Sequence, residues 1–455
     1  MRSTLPTFNE VWQRQSRDCI LADAEFYFPK HHFLIGCSGG MDSMLLLYLF
    51  SKLFPHRVRA IYIDHQLQSL SKGWGEFVAK FCHENSIPYI SQSVVVQDGN
   101  LELQARNARY EAFQKHCHSH EILVLAHHQQ DQAETLLLRL FSGAGISGLS
   151  AMKTIDRRLG LSIWRPLLNI SKEQLHTWVE QENIPFVDDP TNFDEHYDRN
   201  WARATLWPVI QRRFPQMQTA VSRTTELMQD ADEILKEIIK MDSASCISDN
   251  TLDLENFLVL SLARQKQLLS YWMKGDHGYR PSLDTVKRIQ HEVIDARPDA
   301  QASLFVSPFW YTRFQGKLYQ LTEKEYLSSR FDVVASEDLI IDKNTVLKLL
   351  QGSFECAMQQ KIGLSPYLLG KKLYLRAKIN GEKIHLYGRV GHWPLKKAIQ
   401  SAKIFPWLRH RVQILQFEDV ILGVFTPQGF WLAQSKYCEK NGWQPKLVKN
   451  LKANC

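Results

Sequence analysis

The hexapeptide Ser38-Gly39-Gly40-Met41-Asp42-Ser43 carries the clearest chemical signal in the sequence. Its two consecutive glycines let the backbone approach a ligand closely, and a helix start offers free amides with a positive dipole. The hydroxyl groups of Ser38 and Ser43 add further donors, so the segment predicts a pyrophosphate-binding loop. It is not a Walker loop, because no Gly-Lys-Ser/Thr follows. A glycine-rich turn without a ligand is the alternative interpretation.

A second candidate site lies in the stretch from Ala126 to Thr135. If a helix begins soon after His127, then His127, Asp131 and Glu134 fall on one face at four- and three-residue spacing. A histidine with two carboxylates can hold a metal or poise a nucleophilic amine. The alternative is a solvated helix start with acidic residues near its N-terminus. The position after a predicted strand favours the catalytic interpretation.

Two further segments place arginines where they can meet a ligand. Arg106 and Arg109 lie one helical turn apart, and guanidinium groups suit bidentate contacts with phosphate. The segment Asp189-Pro-Thr-Asn192 is followed by Arg199 and Arg203. This segment predicts a substrate-facing loop, although Asp-Pro-Thr-Asn can also be merely a turn.

The elements that must position these residues are alternating strands and helices. Predicted strands cover 32–37, 58–63, 90–96 and 121–126. Repeated βα units of this length predict a parallel sheet with right-handed crossovers. Ligands in such sheets bind beyond the carboxyl ends of the strands, where Ser38, Asp64 and His127 lie. The glycine-rich stretch 143–148 matches a dinucleotide fingerprint but follows a predicted helix, so we reject that interpretation.

Charge and pattern divide the chain into three predicted domains, 1–215, 216–345 and 346–455. The fold class is α/β, with a parallel-sheet first domain, a mainly helical middle domain and a small α+β C-terminal domain. The whole chain carries a formal charge of +7, but the three parts carry -1, -5 and +13. Such asymmetry indicates a polyanion-binding module attached to a near-neutral body.

Several protein classes are excluded by composition. The longest apolar runs fall far short of the roughly 18 residues that span a bilayer. The eight cysteines are scattered without a Cys-x-x-Cys motif, which argues against a disulfide scaffold or zinc ribbon. The N-terminus lacks the apolar stretch of a signal peptide. We therefore expect a cytoplasmic protein that makes no membrane contact.

The loop resembles the Ser-Gly-Gly-x-Asp-Ser signature of the PP-loop ATP pyrophosphatases, which implies a Rossmann-like PP-loop domain. Together with the segments around Arg106, His127 and Asn192, it resembles the tRNA(Ile)-lysidine synthetase family of bacteria. A later stretch, 391–411, resembles the C-terminal domain of that family. One departure concerns Gln130, because the family usually has aspartate at this position.

The resemblance implies an ATP-dependent modification of tRNA. ATP, with Mg²⁺ near Asp42, would adenylate the C2 oxygen of the wobble cytidine in a CAU-anticodon isoleucine tRNA. The ε-amine of free L-lysine would then attack C2 and expel AMP. The sequence does not determine the oligomeric state, and a homodimer is compatible with these expectations.

The resemblance also distributes roles among residues. Catalysis would involve Asp42, His127, Asp131 and Glu134. ATP would contact Ser38, Gly39, Gly40, Met41, Asp42, Ser43, Asp64, Arg106 and Arg109. Substrate or tRNA would contact Asn192, Arg199, Arg203, Lys396, Lys397 and Arg409. The helical middle domain, 216–345, and the basic C-terminal domain, 346–455, would both bind tRNA, and the first domain would bind ATP. Between Lys371 and Arg411 there are eleven Lys or Arg and a single acid, with Tyr374, Tyr387, Trp393 and Trp407 offering aromatic faces.

Three alternatives stay open. A PP-loop tRNA thiolase would deliver sulfur, but such enzymes use cysteine chemistry, and Cys37 resembles a buried strand residue. An amidating synthetase of NAD or GMP type would not need so basic a C-terminal part. A non-catalytic RNA-binding homologue would need no intact phosphate loop.

Overall fold

The computed structural model describes residues 8–66, 71–97, 101–188, 198–275, 280–297, 300, 302–331, 334, 336–359 and 361–450. The chain forms two compact units, Met1–Lys236 and Glu237–Cys455. The finer division into three domains stays a prediction. None of the helices in the described ranges is long and apolar enough to cross a bilayer.

A six-stranded sheet forms the centre of the first unit. Its strands are β1 (His32–Gly36), β2 (Val58–Asp64), β3 (Tyr89–Ser93), β4 (Glu121–Val124), β5 (Ile155–Arg158) and β6 (Leu161–Trp164). The strand order is β3-β2-β1-β4-β6-β5, and all pairs are parallel except β5 with β6. The predicted parallel sheet is therefore confirmed. The β5–β6 hairpin at its edge is absent from the predicted elements.

The first unit also contains α-helices, and the last of them extends past Lys236. They are α1 (Val11–Tyr27), α2 (Met41–Leu53), α3 (Ser71–Glu84), α4 (Leu101–His116), α5 (Gln129–Phe141), α6 (Ile146–Leu149), α7 (Lys172–Glu182), α8 (Asp198–Trp201), α9 (Trp207–Arg213) and α10 (Met217–Cys246). A π-helical turn, Ala202–Leu206, joins α8 to α9. Ser171 caps α7, because its hydroxyl accepts a hydrogen bond from the Gln174 amide.

Both faces of this sheet are buried, which explains the uninterrupted apolar run of β1. One face packs Phe33 against Phe50 and Trp164, and all three side chains are inaccessible to solvent. The other face packs Leu34 against the α4 side chains Tyr110 and Phe113. Strands covered on both sides are usually apolar throughout. The result is a rigid sheet whose carboxyl edge carries β1, β2 and β4 side by side.

The second unit is built from antiparallel sheets and short helices. Its strands are β7 (Ile247–Ser248), β8 (Thr251–Asp253), β9 (Ser303–Val306), β10 (Phe309–Phe314), β11 (Lys317–Thr322), β12 (Glu337–Ile340), β13 (Val346–Leu349), β14 (Gly352–Met358), β15 (Ile362–Leu364), β16 (Lys372–Ala377), β17 (Lys383–Ile384), β18 (Trp393–Pro394), β19 (Gln413–Phe417), β20 (Val420–Thr426), β21 (Gly429–Leu432), β22 (Cys438–Lys440) and β23 (Trp443–Asn450). Its α-helices are α11 (Leu254–Val259), α12 (Leu262–Lys274), α13 (Leu283–Arg288), α14 (Glu323–Tyr326), α15 (Ser328–Phe331) and α16 (Leu395–Ser401). A π-helical turn covers Ile289–Ile294, and 3-10 turns cover Pro366–Leu368 and Pro406–Arg411.

The sheets of the second unit follow the predicted helical-to-strand order. Helices α11 to α13 pack against a five-stranded sheet of order β7-β8-β11-β10-β9. Two further five-stranded sheets have the orders β12-β16-β19-β20-β21 and β13-β14-β23-β15-β22. The α/β class with a helical middle and a strand-rich C-terminal part is thus confirmed.

Candidate active site

The phosphate loop lies at the carboxyl end of β1, where the helix α2 begins. Ser43 stabilises the loop conformation, because its hydroxyl donates a hydrogen bond to the Gly40 carbonyl at 2.9 Å and accepts one from the Ser38 amide at 3.2 Å. The Ser38 and Ser43 hydroxyl oxygens lie 3.3 Å apart. Gly40 is the N-cap of α2 and receives no side-chain cap. The first amides of α2 therefore keep their donors for an anion.

Glycine is required at position 39 for two reasons. Its φ of +88° lies in the left-handed region, which side chains disfavour. A Cβ at this position would also lie 3.0 Å from Val187 Cγ2. The Gly39 carbonyl accepts a hydrogen bond from the Val187 amide at 3.0 Å, which fixes the loop against the segment after α7.

His128 connects the phosphate loop to the second predicted cluster. Its Nε2 lies 3.6 Å from Asp42 Oδ2 and 3.5 Å from Asp131 Oδ2. Its Nδ1 accepts a hydrogen bond from the Gln130 amide, so Nε2 is the ring nitrogen that faces the two carboxylates. His128 is the N-cap of α5, and His127 precedes the helix. The shared helix face predicted for His127 is therefore wrong, although His127 lies at the same sheet edge.

Glu134 is the most enclosed ionisable group of the site, with a side chain that has no solvent exposure. Its carboxylate accepts four hydrogen bonds. Oε1 accepts from Arg203 Nε at 2.8 Å and from Gln130 Nε2 at 3.0 Å, and Oε2 accepts from Arg199 Nε at 2.7 Å and Arg203 Nη2 at 2.9 Å. Charge and hydrogen bonding are both satisfied, as burial of a carboxylate requires.

Asp131 is held in the same network but keeps some access to solvent. Its Oδ1 accepts from Arg199 Nη2 at 2.9 Å, its Oδ2 accepts from the His128 amide at 3.0 Å, and 14% of its side chain is exposed. Although burial opposes ionisation, His128 and Arg199 lower the pKa of Asp131 to about 2. Asp131 is therefore an oriented, partly accessible anion at neutral pH.

Two other groups at the site have pKa values shifted by burial. Burial lowers the pKa of His127 to about 3, so its imidazole is neutral, and its Nδ1 is buried with no hydrogen-bond partner in the described part of the chain. Burial also raises the pKa of Asp42, against the opposing charge of His128. Its Oδ1 is buried and makes no hydrogen bond to any residue that the structure describes.

The predicted arginine pair on α4 lies toward the same edge. Burial lowers the pKa of both Arg106 and Arg109, and the charge of Arg109 also lowers the pKa of His127 and of His65. Arg106 lies over the Tyr110 ring, 5.8 Å from its centroid. Asp64 ends β2 and accepts the Gln66 amide on Oδ1 at 2.8 Å. Asn192 lies outside the described residues.

Comparison with known proteins identifies the family. The family model for a PP-loop domain matches residues 10–210, that for the TilS substrate binding domain matches 252–319, and that for the TilS substrate C-terminal domain matches 373–444. A tRNA(Ile)-lysidine synthase of Acinetobacter baylyi is 56% identical over 453 residues, which cover 99% of this chain and 98% of that protein. The chain belongs to the tRNA(Ile)-lysidine synthase family.

More distant members of the tRNA(Ile)-lysidine synthase family also match almost end to end. The protein from Enterobacter sp. is 33% identical, with 91% of this chain and 98% of that protein covered. The protein from Actinobacillus pleuropneumoniae is 31% identical, with 89% and 98% covered. The resemblance noted from the sequence is therefore confirmed, and the chain is a ligase that forms a carbon–nitrogen bond.

In this member of the tRNA(Ile)-lysidine synthase family, the predicted tRNA-binding residues of the C-terminal part lie on two elements. Lys396 and Lys397 are exposed in the first turn of α16. Arg409 is half-buried in the turn Pro406–Arg411, where its Nε donates to the Ile404 carbonyl at 3.0 Å. It lines a cleft of about 570 Å³ together with Arg313 and Tyr326.

The aromatic faces predicted for this region are only partly available. Tyr374, Tyr387 and Trp393 are each at least 40% exposed, but Trp407 is 6% exposed and stacks on Phe405 at 4.9 Å. The prediction that Trp407 offers a face to nucleic acid is therefore wrong. It is a core residue, because the rings of Phe314 and Tyr319 also pack against it.

The structure shows three further residues at the site that the sequence analysis did not name. His128 lies between two carboxylates, and Lys172, in the first turn of α7, lowers the pKa of Asp42 through its charge. Arg165 follows β6, is buried, and donates to the Lys153 carbonyl at 2.7 Å, while its Nε makes no hydrogen bond. A correct assignment of β6 as a strand parallel to β4 would have placed Arg165 at the functional edge.

Proposed function

We propose that the chain joins free L-lysine to the wobble cytidine of CAU-anticodon tRNA(Ile) in two steps. In the first, the C2 oxygen of the cytidine attacks the α-phosphate of ATP, and pyrophosphate leaves. In the second, the ε-amine of lysine attacks C2, the bond from C2 to the AMP oxygen breaks, and the amine loses its protons. The products are lysidine, AMP and pyrophosphate.

The phosphate loop supports the first step. The uncapped amides of α2 and the exposed Ser38 hydroxyl lie at the carboxyl end of β1 and can hold the pyrophosphate portion of ATP. The Ser43 hydroxyl would donate to a phosphate only after releasing the Gly40 carbonyl. Gly39 and Gly40 keep this surface free of side chains, and Met41 begins the helix. We assign Asp64, Arg106 and Arg109 to the nucleotide, because their elements end or pass at the same edge of the sheet.

Mg²⁺ fits the environment of Asp42. The buried, unpartnered Oδ1 is an oxygen ligand without a competing hydrogen bond. Within the described ranges, no group of three or more His, Cys, Asp or Glu side chains is arranged to hold a metal alone. Mg²⁺ commonly takes one or two carboxylates and completes its shell with water and phosphate oxygens. When bound, it neutralises charge that develops on the phosphates.

Asp131 and His127 support the second step. The lysine ε-ammonium has a solution pKa of about 10.4 and must lose a proton before it can attack. Asp131 is an accessible anion that can bind the ammonium, whereas Glu134 is already occupied by four donors. Neutral His127 has a buried Nδ1 that can accept a hydrogen bond from the amine, but its pKa of about 3 makes it a weak base, so the released proton passes to solvent.

The basic C-terminal part supports tRNA binding. The single acid of the stretch from Lys371 to Arg411 is Glu382, which pairs with Arg376 at 2.6 Å, and Lys372 pairs with Asp338 at 2.6 Å, so the stretch keeps a large excess of positive charge. We assign Lys396, Lys397 and Arg409 to the tRNA backbone, and Asn192, Arg199 and Arg203 to the anticodon base or the lysine. A cytoplasmic reaction and a homodimer stay predictions.

The observation that carries this proposal is the row Asp42–His128–Asp131, which joins the phosphate loop to an anion suited to an amine. The test combines ATP, Mg²⁺, a tRNA(Ile) transcript with a CAU anticodon and radiolabelled lysine. We expect label in the tRNA together with equal amounts of AMP. AMP formation that requires ammonia or a sulfur donor instead of lysine would overturn the proposal.

The thiolase alternative finds no support at the loop. Burial raises the pKa of the Cys37 thiol, which lies beneath the loop with its Sγ 3.7 Å from Ser43 Oγ. A protonated, enclosed thiol is a poor sulfur carrier because the thiolate is the reactive form.

A further inference from the structure

Gln130 makes a specific contact at the base of the candidate lysine site. Its Nε2 donates to Glu134 Oε1 at 3.0 Å, and both side chains are buried, with exposures of 7% and 1%. The two residues lie one turn apart on α5, so the contact belongs to a rigid element. Gln130 therefore supplies one of the four donors that saturate Glu134.

The two carboxylates of this cluster are matched by two arginines among the residues that the structure describes. Asp131 and Glu134 carry two negative charges, and Arg199 and Arg203 carry two positive charges within 3.8 Å of them. The neutral amide of Gln130 completes the hydrogen bonding of Glu134 without changing this balance. A carboxylate at the same position would add a third negative charge about 3 Å from Glu134 Oε1.

We propose that Gln130 is a positioning residue, whose neutral amide keeps Glu134 committed to Arg199 and Arg203 and so leaves Asp131 to bind the lysine ammonium. This inference rests on the proposed function. Glu134 is then an anchor for the two arginines, and it neither binds lysine nor accepts its proton. The role predicted for Glu134 from the sequence, as a catalytic group, is thereby replaced by a structural one.

The variant Gln130→Glu gives a directional test. Two carboxylates at this distance cannot both ionise easily, so the pair retains one proton to a higher pH than either group alone. With that proton, the carboxylic acid introduced at position 130 would donate to Glu134 as the amide does. At higher pH the proton leaves, and the excess negative charge draws Arg199 or Arg203 away from Asp131.

The surrounding charges do not reverse this expectation. His127 and His128 flank the start of α5, and Asp42 and Lys172 contribute from α2 and α7. Arg165 and Arg109 also act on His127. These groups are the same in wild type and variant. The ratio of the variant's KM for lysine to that of wild type at each pH therefore reports the effect of the carboxylate at position 130.

The experiment measures kcat and KM for lysine and KM for ATP in the full chain between pH 6 and 9. For Gln130→Glu we expect KM for lysine, relative to wild type, to rise at least ~10-fold as pH increases, as a broken charge-assisted contact implies. KM for ATP should stay constant, because the phosphate loop is not touched. Gln130→Met, which lacks a donor but adds no charge, should raise KM for lysine by a factor that does not vary with pH.

Gln132→Glu is the matched control. Gln132 is buried on the same helix, but its amide exchanges hydrogen bonds with the Met152 backbone instead of Glu134. For Gln132→Glu we expect that KM for lysine, relative to wild type, does not vary with pH and that activity falls only as far as the Tm falls. The same behaviour in Gln130→Glu would overturn the positioning role. If Gln130→Glu does not fold, an unchanged KM for lysine in Gln130→Met overturns it. If wild type incorporates no lysine, the proposed function itself fails.

Discussion

Arg203 forms a bidentate salt bridge with Glu134, in which Nε donates to Oε1 at 2.8 Å and Nη2 donates to Oε2 at 2.9 Å. This bidentate geometry is the strongest that arginine and carboxylate form. It separates the roles of two carboxylates that lie three residues apart on one helix. Glu134 is enclosed and saturated, whereas Asp131 retains access to solvent. Of these two carboxylates, Asp131 is therefore the one that a cationic substrate can use.

Removing the charge of Glu134 should destabilise the first unit strongly. Glu134→Gln leaves Arg199 and Arg203 without their main counter-charge, and breaking such buried pairs costs about 3–5 kcal/mol. Urea unfolding measured by circular dichroism gives the free energy of unfolding. Glu180→Gln, which breaks an exposed pair with His176 on α7, serves as the control and should change stability by less than about 0.5 kcal/mol. Equal effects in the two variants would contradict the anchoring role.

Asp42→Asn should abolish adenylation while tRNA binding persists. The substitution removes the proposed Mg²⁺ ligand, and loss of such electrostatic stabilisation costs at least ~100-fold in kcat. AMP release reports the chemistry, and filter binding at fixed salt reports the affinity for tRNA. A parallel loss of both would contradict the assignment of tRNA affinity to the basic C-terminal part.

Burial of His127 should make stability depend on pH in a defined window. Its pKa is lowered from 6.5 to about 3, so between these values the unfolded chain binds a proton that the folded chain does not. Stability therefore falls with decreasing pH in this window, by up to about 1.4 kcal/mol per pH unit. His127→Gln should flatten that slope in urea titrations.

The titration of Asp131 affects stability at lower pH than the titration of His127. Its pKa is depressed from 3.8 to about 2, so its contribution to stability is complete above 3.8 and is lost as pH falls toward 2. The part of the slope between about pH 6.5 and 4 that is lost in His127→Gln therefore belongs to this histidine, while His65 and His116, whose pKa values burial also lowers, retain the rest. An unchanged slope in the variant would show that His127 is not held neutral.

The exposed lysines of α16 should contribute salt-dependent affinity for tRNA. Replacing Lys396 and Lys397 by glutamine removes up to two phosphate contacts, and the slope of log affinity against log salt should fall by roughly 0.7–0.9 per contact. Fluorescence anisotropy with labelled tRNA gives this slope. Lys30→Gln, at an exposed lysine just before β1 in the first domain, should leave it unchanged. An identical slope in the double variant would contradict the predicted contact.

Local spacing was sufficient to predict the phosphate loop and the carboxylates of α5. Ser38 to Ser43 are consecutive, and Asp131 and Glu134 share a helix, so few assumptions about the fold were needed. The choice between His127 and His128 was different, because it depends on where the helix begins. The capping hydrogen bonds put that start at Gln129 and made His128 the residue that faces Asp42.

Contacts between distant residues could not be predicted in the same way. Arg199 and Arg203 lie 65 and 69 residues beyond Glu134, and the sequence offers no period that pairs them. Their spacing suggested a loop that meets substrate, while the structure pairs them with carboxylates. Likewise, the burial of Trp407 depends on Phe314 and Tyr319, which lie on strands of the preceding sheet.

The central claim is that the chain joins lysine to the wobble cytidine in a reaction that converts ATP to AMP and pyrophosphate. Its most direct test is mass spectrometry of the nucleoside at the first anticodon position after incubation with ATP, Mg²⁺, lysine and CAU-anticodon tRNA(Ile). We predict that this nucleoside gains one lysine with loss of one water, and that Asp42→Asn leaves it as cytidine. An unmodified cytidine with the wild-type chain, or a nucleoside that has gained sulfur, would contradict the account.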